Sequence, residues 1–289
     1  MLAVNAEPHD TTRIEADTSM LHLNSPAPLM RPGLFNWITN IPGDWWRFSK
    51  QTFTVKQLPL IGGLTALTAI TIITDYDTWQ AFKKPYDENK TYRQINDVTS
   101  YLGDGKIQFG IAAAFALYGF GFNDTRAIRT ASQTAEVILA CGGVVQLLKH
   151  LTGRESPFTA TTPTGRWDFF PNQIEYAKHV PHFDAFPSGH IATAMATLQV
   201  IIENYPEKAW IKYVGYPIIG SIAVGLVSTS IHWWSDIPLG VVLGYTFGRL
   251  VAHPESDLAP AQSANEFRPE LNFSVLGNGS PAMGFSLRW

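Results

Sequence analysis

Cysteine is almost absent from the 289 residues. Cys141 stands alone within the apolar run Val137 to Leu148, which excludes an intrachain disulfide and any cysteine-built metal cluster. Charge is sparse as well: 16% of residues carry it, and the 21 basic side chains do not outnumber the 24 acidic ones. A chain of net charge −3 offers no basic surface to a phosphate backbone, so nucleic-acid partners are set aside. Low-complexity tracts and repeats of solenoid period are missing too. What fills the chain instead is 45% hydrophobic and 12% aromatic residues, nine of them Trp. That content excludes disorder for most of the length and suits a packed core or contact with lipid.

The first residues, Met-Leu-Ala-Val-Asn-Ala, place small Val4 and Ala6 at the spacing of a secretory cleavage site but lack a basic start and a full apolar stretch. They read as a polar arm or as a signal remnant. Residues 1 to about 35, with Pro8, Pro26, Pro28 and Pro32, read as a loosely ordered lead-in. The cluster Trp37, Trp45, Trp46 and Phe48, interleaved with Arg47 and Lys50, suits either a segment at headgroup depth or a surface helix docked by its rings.

Six apolar segments follow, near Leu58 to Thr74, Ile107 to Phe122, Ala135 to Leu148, Ile191 to Ile202, Tyr213 to Ile231 and Ile237 to Leu250, and each is expected to be a helix. Crossing a bilayer takes about 20 apolar residues, which the first, second and fifth segments approach, while the others are nearer the length of buried core helices. Asp75 to Lys106 reads as a polar loop. At the end, Phe273 and Val275 alternate with polar residues, Asn278-Gly279 signals a turn, and Phe285, Leu287 and Trp289 alternate again, the pattern of a hairpin. The expected organisation is therefore an arm over 1–56, a helical domain over 57–254 and a tail with a β-hairpin over 255–289.

Residues able to do chemistry gather at three places. In Leu148 to Pro157 an apolar helix ends among Lys149, His150 and Arg154, where cations also suit the helix dipole. In Ala185 to Ala194 the turn Pro187-Ser188-Gly189-His190 feeds an apolar helix, giving either an anion site of backbone amides or a plain Ser188 N-cap. In Ile231 to Gly240, His232 and Asp236 share a face if the segment is helical. A carboxylate bonded to one ring nitrogen would leave the other free as a nucleophile.

In this order and at these spacings the three elements resemble the type 2 phosphatidic acid phosphatase superfamily, which includes bacterial acid phosphatases, lipid phosphatases and vanadium haloperoxidases. The resemblance covers about Leu58 to His253. The family pattern is Lys, six residues and Arg-Pro, then Pro-Ser-Gly-His, then Ser-Arg, five residues, His, three residues and Asp. The second element is intact here. In the first, Lys149 and Pro157 match but Ser156 stands where the Arg belongs. In the third, His232 and Asp236 match while Gly225-Leu226 replace Ser-Arg.

The resemblance implies an all-α six-helix bundle and a phosphatase acting through a phosphohistidine. His232 would be the nucleophile, Asp236 its orienting carboxylate, and His190 the acid that protonates the leaving alkoxide and later activates water. Lys149, Ser188 and Gly189 would hold phosphoryl oxygens, with Ser156 in the vacated position and Arg154 substituting for the missing clamp. No metal or other cofactor is implied. A lipid phosphate such as phosphatidate, a prenyl pyrophosphate or a lipid A phosphate is the expected substrate, or else a small soluble phosphoester. A catalytically impaired relative that only binds lipid is the rival reading, and a vanadium haloperoxidase the remote one.

Successive crossings would leave Arg126, Arg129, Lys208 and Lys212 opposite the three elements. The site would then face the periplasm from a bacterial inner membrane, or belong to a soluble periplasmic form. The joining segment Phe158 to Ala185 carries Arg166, Lys178, His179 and His182. It also carries Trp167, Phe169, Phe170, Tyr176 and Phe183, suited to a lid or acyl-chain contact or to a self-packed loop.

Overall fold

A computed structural model of the chain describes residues 31–254 and the backbone of 268–275 and 281–288. The readings of residues 1–30 and of the Asn278-Gly279 turn fall outside the described residues. Ten α-helices are present among those described. They are α1 (Asn36–Thr39), α2 (Ile41–Thr52), α3 (Leu58–Glu88), α4 (Lys90–Leu102), α5 (Gly105–Phe122), α6 (Thr125–Thr152), α7 (Gln173–Lys178), α8 (Gly189–Asn204), α9 (Trp210–Ser228) and α10 (Ile237–Ala252). Two antiparallel strands, β1 (Arg268–Val275) and β2 (Pro281–Arg288), pair with Val275 opposite Pro281 and Arg268 opposite Arg288.

The six apolar segments fall on α3, α5, α6, α8, α9 and α10, so the helix count exceeds the six expected. The reading of Asp75 to Lys106 as a loop is corrected. α3 runs on to Glu88, Asn89 caps the next helix by accepting from the Tyr92 amide at 2.9 Å, and α4 follows. What disguised α4 is its polarity: its buried side chains are Asn96 and Ser100. α4 lies against α9 at Gly225, where a Cβ would approach Thr99 Oγ1 to 2.5 Å and the Ser100 amide to 2.7 Å. A side chain at 225 has no room, which explains why glycine stands there.

Short polar side chains start the helices that matter for the site. Asp124 caps α6 through the Ala127 amide, Asp104 caps α5 through the Lys106 amide, and Ser188 caps α8 through the Ile191 amide. α6 ends at Gly153, whose φ of +53° is left-handed and whose missing Cβ would meet the Asp168 carbonyl at 2.2 Å. Two apolar clusters then bind the bundle. One joins α6, α8 and α10 through Val137, Ala140, Ala196, Val200, Phe247 and Val251, with Phe48 of α2 stacked on Phe247 at 4.5 Å. The other joins α8, α9 and α10 through Ile191, Met195, Ile222, Leu226 and Ile237.

Among the described residues, three helical stretches are long and apolar enough to cross a membrane: Val55–Glu88, Thr125–Thr152 and Trp210–Ser228. The third apolar segment, expected to be nearer core length, thus lies in a 28-residue helix that meets the requirement, whereas α5 with 18 residues is not among the three. None of the apolar stretch of α3 is buried, and Leu67, Ile70 and Ile73 are exposed on it. Leu117, Phe120 and Phe122 of α5 and Tyr213 and Ile218 of α9 add to this outward apolar surface, which in water would be an uncompensated cost. Trp45 docks α2 inward, its indole donating to the Ala140 carbonyl at 2.8 Å, while Trp46 is exposed under Lys50.

Candidate active site

The Lys149 end of α6, the start of α8 and the turn before α10 converge. Ser230, with a φ of +63°, closes α9, and the chain turns through His232 into a 3-10 turn, Trp234–Asp236, that opens α10. The His232 segment is therefore not α-helical, and its closeness to Asp236 comes from this turn. Asp236 secures it by accepting from the Trp233 amide at 2.8 Å, and its own carbonyl accepts from the Ser188 amide at 3.0 Å. That second bond ties the turn before α10 to the turn before α8. Trp233 ties it to the end of α6, its indole donating to the Glu155 carbonyl at 2.8 Å.

At the centre are two imidazoles. His190 Nδ1 lies 3.2 Å from His232 Nε2, with the rings nearly perpendicular at 73°. His232 Nδ1 lies 2.8 Å from the carbonyl oxygen of Ala185. A carbonyl only accepts, so Nδ1 carries a proton, and in the neutral ring Nε2 has the lone pair, aimed at His190. Here the orienting role expected of Asp236 needs correction. Its nearer oxygen is 3.4 Å from His232 Nδ1, and the short bond on that nitrogen goes to Ala185 instead. His232 and Asp236 are both buried, at 2% and 0% exposure.

His190 is held neutral at neutral pH. Burial, then the charges of His232 and Lys149, push its pKa down from the ordinary value to about 3, against a smaller opposing pull from Asp104. Lys149 stands at the other side of the turn: a Cβ on Gly189 would lie 3.7 Å from its Nζ. That ammonium is buried and its nearest anion is Asp184 Oδ2 at 3.4 Å. Ser188 is fully buried, with its hydroxyl facing the Ile191 amide at 3.4 Å.

The structure does not bring Arg154 to this opening, and its expected part as a phosphate clamp is corrected. The side chain is fully buried. Nη1 donates to Asp236 Oδ1 at 2.5 Å and Ser235 Oγ at 2.6 Å, and Nη2 to Asp75 Oδ2 at 2.7 Å and the Thr164 carbonyl at 2.8 Å. The indoles of Trp167 and Trp233 lie over the guanidinium, 4.7 and 5.5 Å away. Four hydrogen bonds and two carboxylates fix it behind Asp236. Ser156 is buried as well, its amide bonded to the Pro181 carbonyl at 3.0 Å. Leu226 is packed in the core of α8, α9 and α10, so the position of the third-motif arginine belongs to the apolar interior.

The loop cations have partners of their own. Arg166 and His182 approach Glu155 to 3.7 Å, and Lys178 and His179 approach Glu175 to 3.1 and 3.8 Å. Glu155 is itself buried; its pKa is raised by that burial but pulled below the ordinary value by bonds from the Thr161 and Arg166 amides and the Thr161 hydroxyl. Of the loop rings, Phe183 is buried, Trp167 stacks on Phe169, and Phe169 and Phe170 are exposed.

Sequence reasoning missed Asp75, Ser235 and the Ala185 carbonyl, and it took Asp184 only as a possible metal ligand beside His179 and His182. A signal existed for Asp75, the first charge after the uncharged run 57–74.

All three motif elements lie within residues 131–257, which match the PAP2 superfamily. Over that span the chain is similar to the PAP2 superfamily. Among solved structures, the chain has a similarity to the first transmembrane PAP2 type phosphatidylglycerolphosphate phosphatase from Bacillus subtilis. It is 11% identical with a TM-score of 0.43, over 79% of this chain and 100% of that one. No curated protein matches the chain. Asp75, on α3, lies outside the PAP2 match and reaches the site only through the fold.

Proposed function

We propose that this PAP2 protein is a metal-independent phosphomonoesterase of a membrane, working through a phosphohistidine on a lipid phosphate. The observation that carries the reading is the His232 ring. Its proton is fixed on Nδ1 by Ala185, its lone pair is on the Nε2 side, and a second imidazole stands 3.2 Å from that lone pair. In the first step Nε2 bonds to phosphorus as the phosphorus–alkoxide bond breaks, and the alkoxide takes a proton from His190. In the second, His190 removes a proton from water, whose oxygen attacks phosphorus and releases phosphate and free His232. His190 is neutral in the free protein, so the incoming phosphoryl charge must draw the proton onto it. Lys149, the Gly189 amide and the Ser188 turn hold the phosphoryl oxygens.

The domain that does this spans 57–254, and its apolar faces on α3, α5 and α9 support a bilayer setting. We place the site on the periplasmic side of a bacterial inner membrane because Arg126, Arg129, Lys208 and Lys212 lie at the opposite helix ends. Exposed Phe169 and Phe170, on a loop whose Phe170 amide donates to the Leu151 carbonyl near the end of α6 at 2.9 Å, favour a substrate with an acyl or prenyl chain. The specific lipid is left to experiment.

Phosphate release from phosphatidate, prenyl pyrophosphate and para-nitrophenyl phosphate tests the reading. His232→Ala is expected to abolish turnover on all three. His190→Ala should retain activity on para-nitrophenyl phosphate, whose leaving group needs no proton. Equal residual activity in both variants refutes the roles. A second reading, a lipid-binding relative without turnover, is favoured by the sequestered Arg154 and by Ser156 and Leu226; wild-type protein that binds lipid phosphate but releases none would establish it.

A further inference from the structure

We infer that Asp75 is a positioning residue for the His232 reaction: it offsets the charge of Arg154, so that Asp236 keeps net negative charge beside the imidazole that becomes phosphorylated. The inference rests on the phosphohistidine reading above, but its test does not depend on turnover.

An arginine bonded at 2.5 Å to the carboxylate behind a nucleophilic histidine would, by itself, cancel the charge that stabilises the ring as it turns cationic. Asp75 prevents this. Its Oδ2 accepts from Arg154 Nη2 at 2.7 Å and from the Ser235 hydroxyl at 2.5 Å, and its Oδ1 accepts from the Ser235 amide at 3.0 Å. Opposite the Arg154 guanidinium, which stays charged, Asp75 is taken as a carboxylate. The Ser235 hydroxyl in turn accepts from Arg154 at 2.6 Å. One cation between two carboxylates leaves the fully buried cluster at −1, and the member nearest His232 is Asp236 at 3.4 Å.

The remaining groups around the two rings do not include Asp75 and stay constant when it is changed. The Ala185 carbonyl and His190 face His232 directly, Lys149 and Asp184 stand beyond His190, and Asp104 follows Gly103, whose missing Cβ would lie 3.2 Å from His190 Cβ. None of these is bonded to the Arg154 guanidinium, and Arg154 meets this stretch through its backbone carbonyl, which accepts from the Ala185 amide at 2.9 Å. Ser235 adds direction: its amide and hydroxyl both bind Asp75, so α3 also anchors the turn that carries Asp236.

The decisive experiment is an NMR titration of the His232 imidazole in Asp75→Asn, alongside kcat/KM on para-nitrophenyl phosphate and thermal unfolding. Loss of one buried charge at this range should move the His232 titration to lower pH and lower kcat/KM by roughly tenfold or more. Arg154→Gln, measured below its melting temperature, should move the titration to higher pH, because it leaves both carboxylates unopposed. The Asp75→Asn, Arg154→Gln double variant should return it towards wild type. Ser235→Ala, which keeps every charge, should leave it in place.

A merely structural role predicts lower stability in each variant with no ordered shifts of the titration. If Asp75→Asn does not fold, the upward shift in Arg154→Gln still tests the charge argument, and its absence overturns it. Wild type inactive on every phosphoester would refute the phosphatase reading, while the ordered titration shifts would still uphold the charge relation.

Discussion

Arg154→Ala separates a cation that binds substrate from one that holds the scaffold. A guanidinium reaching the phosphoryl group would leave folding nearly untouched and cost catalysis several powers of ten. The structure argues for the opposite. Arg154, Asp75 and Asp236 are all at 0% exposure, and the guanidinium supplies four hydrogen bonds. Removing one partner of a buried ion pair costs about 3 to 5 kcal/mol, because the remaining charge is stranded in low dielectric. Here two carboxylates are stranded at once, only 2.7 and 2.5 Å from the lost cation, which puts the loss at or above the top of that range. At about 2 to 4 °C per kcal/mol for a chain of this size, the melting temperature should fall by roughly 10 °C or more. Thermal unfolding in detergent, with kcat/KM measured on the same preparation below the new midpoint, is the assay. A fall below about 2 °C together with a kcat/KM loss of roughly a hundredfold would mean that the guanidinium reaches the phosphoryl group and that the buried network described here does not exist in solution.

Acidification should destabilise the protein through His190. Its folded pKa is near 3 and its unfolded value ordinary, so the unfolded state binds more protons between about pH 6.5 and 3. Stability from this group is whole above pH 6.5, and each unit lost within the window should favour unfolding by about tenfold. His190→Gln should flatten that part of the Tm-against-pH curve, and an unchanged slope would refute the assignment. Asp184→Asn frees the Lys149 ammonium from a partner at 3.4 Å and should lower KM for phosphomonoesters a fewfold, whereas Lys149→Ala should lower kcat/KM by roughly a hundredfold. Leu226→Arg, which recreates the residue of the family pattern, should not rescue activity. The position is 0% exposed among Ile191, Ile222 and Ile237, and an unpaired charge there should cost about 3 kcal/mol or more, read as loss of folded protein.

How much was legible in the sequence depended on whether a residue's neighbours lay nearby along the chain. Apolar runs marked six of the helices, and Gly153 and Ser188 could be read at helix ends, because capping is a local interaction. α4 escaped because what α9 receives from it is polar backbone and small side chains, so no apolar stripe was needed. At the site, Lys149, His190 and His232 were legible because together they resemble the family pattern, and the fold brings the three elements to one place. Arg154 was misread for a physical reason: its position two residues before the vacant arginine said nothing of Asp75, 79 positions upstream, or of Asp236, 82 downstream. The acceptor on His232 was invisible in principle, since it is the backbone carbonyl of Ala185, and any residue type would supply one.

The absent arginines also bear on where the binding energy of this site must come from. Arg154 cannot turn its charge to a ligand without abandoning two buried carboxylates, and Leu226 has none to offer. Lys149 can, but only by exchanging Asp184, a carboxylate with 29% of its side chain exposed, for a phosphoryl oxygen. Such an exchange gains less than filling an empty cationic site, because the ammonium was already partly compensated and water must solvate the released carboxylate. A headgroup alone is therefore held weakly in the ground state. On the proposed phosphohistidine mechanism, however, positive charge develops on the imidazole as phosphorus moves from the leaving oxygen to His232, beside the net −1 cluster of Asp75, Arg154 and Asp236. The preference of the site is thus for the transition state, on the imidazole side rather than the phosphoryl side. Initial capture then falls to contacts remote from phosphorus, and exposed Phe169 and Phe170 on the loop between the first two motifs offer apolar surface to a chain-bearing substrate. It follows that shortening the acyl or prenyl chain should raise KM steeply while kcat changes little, and a soluble phosphomonoester with an equal KM would refute that division of labour.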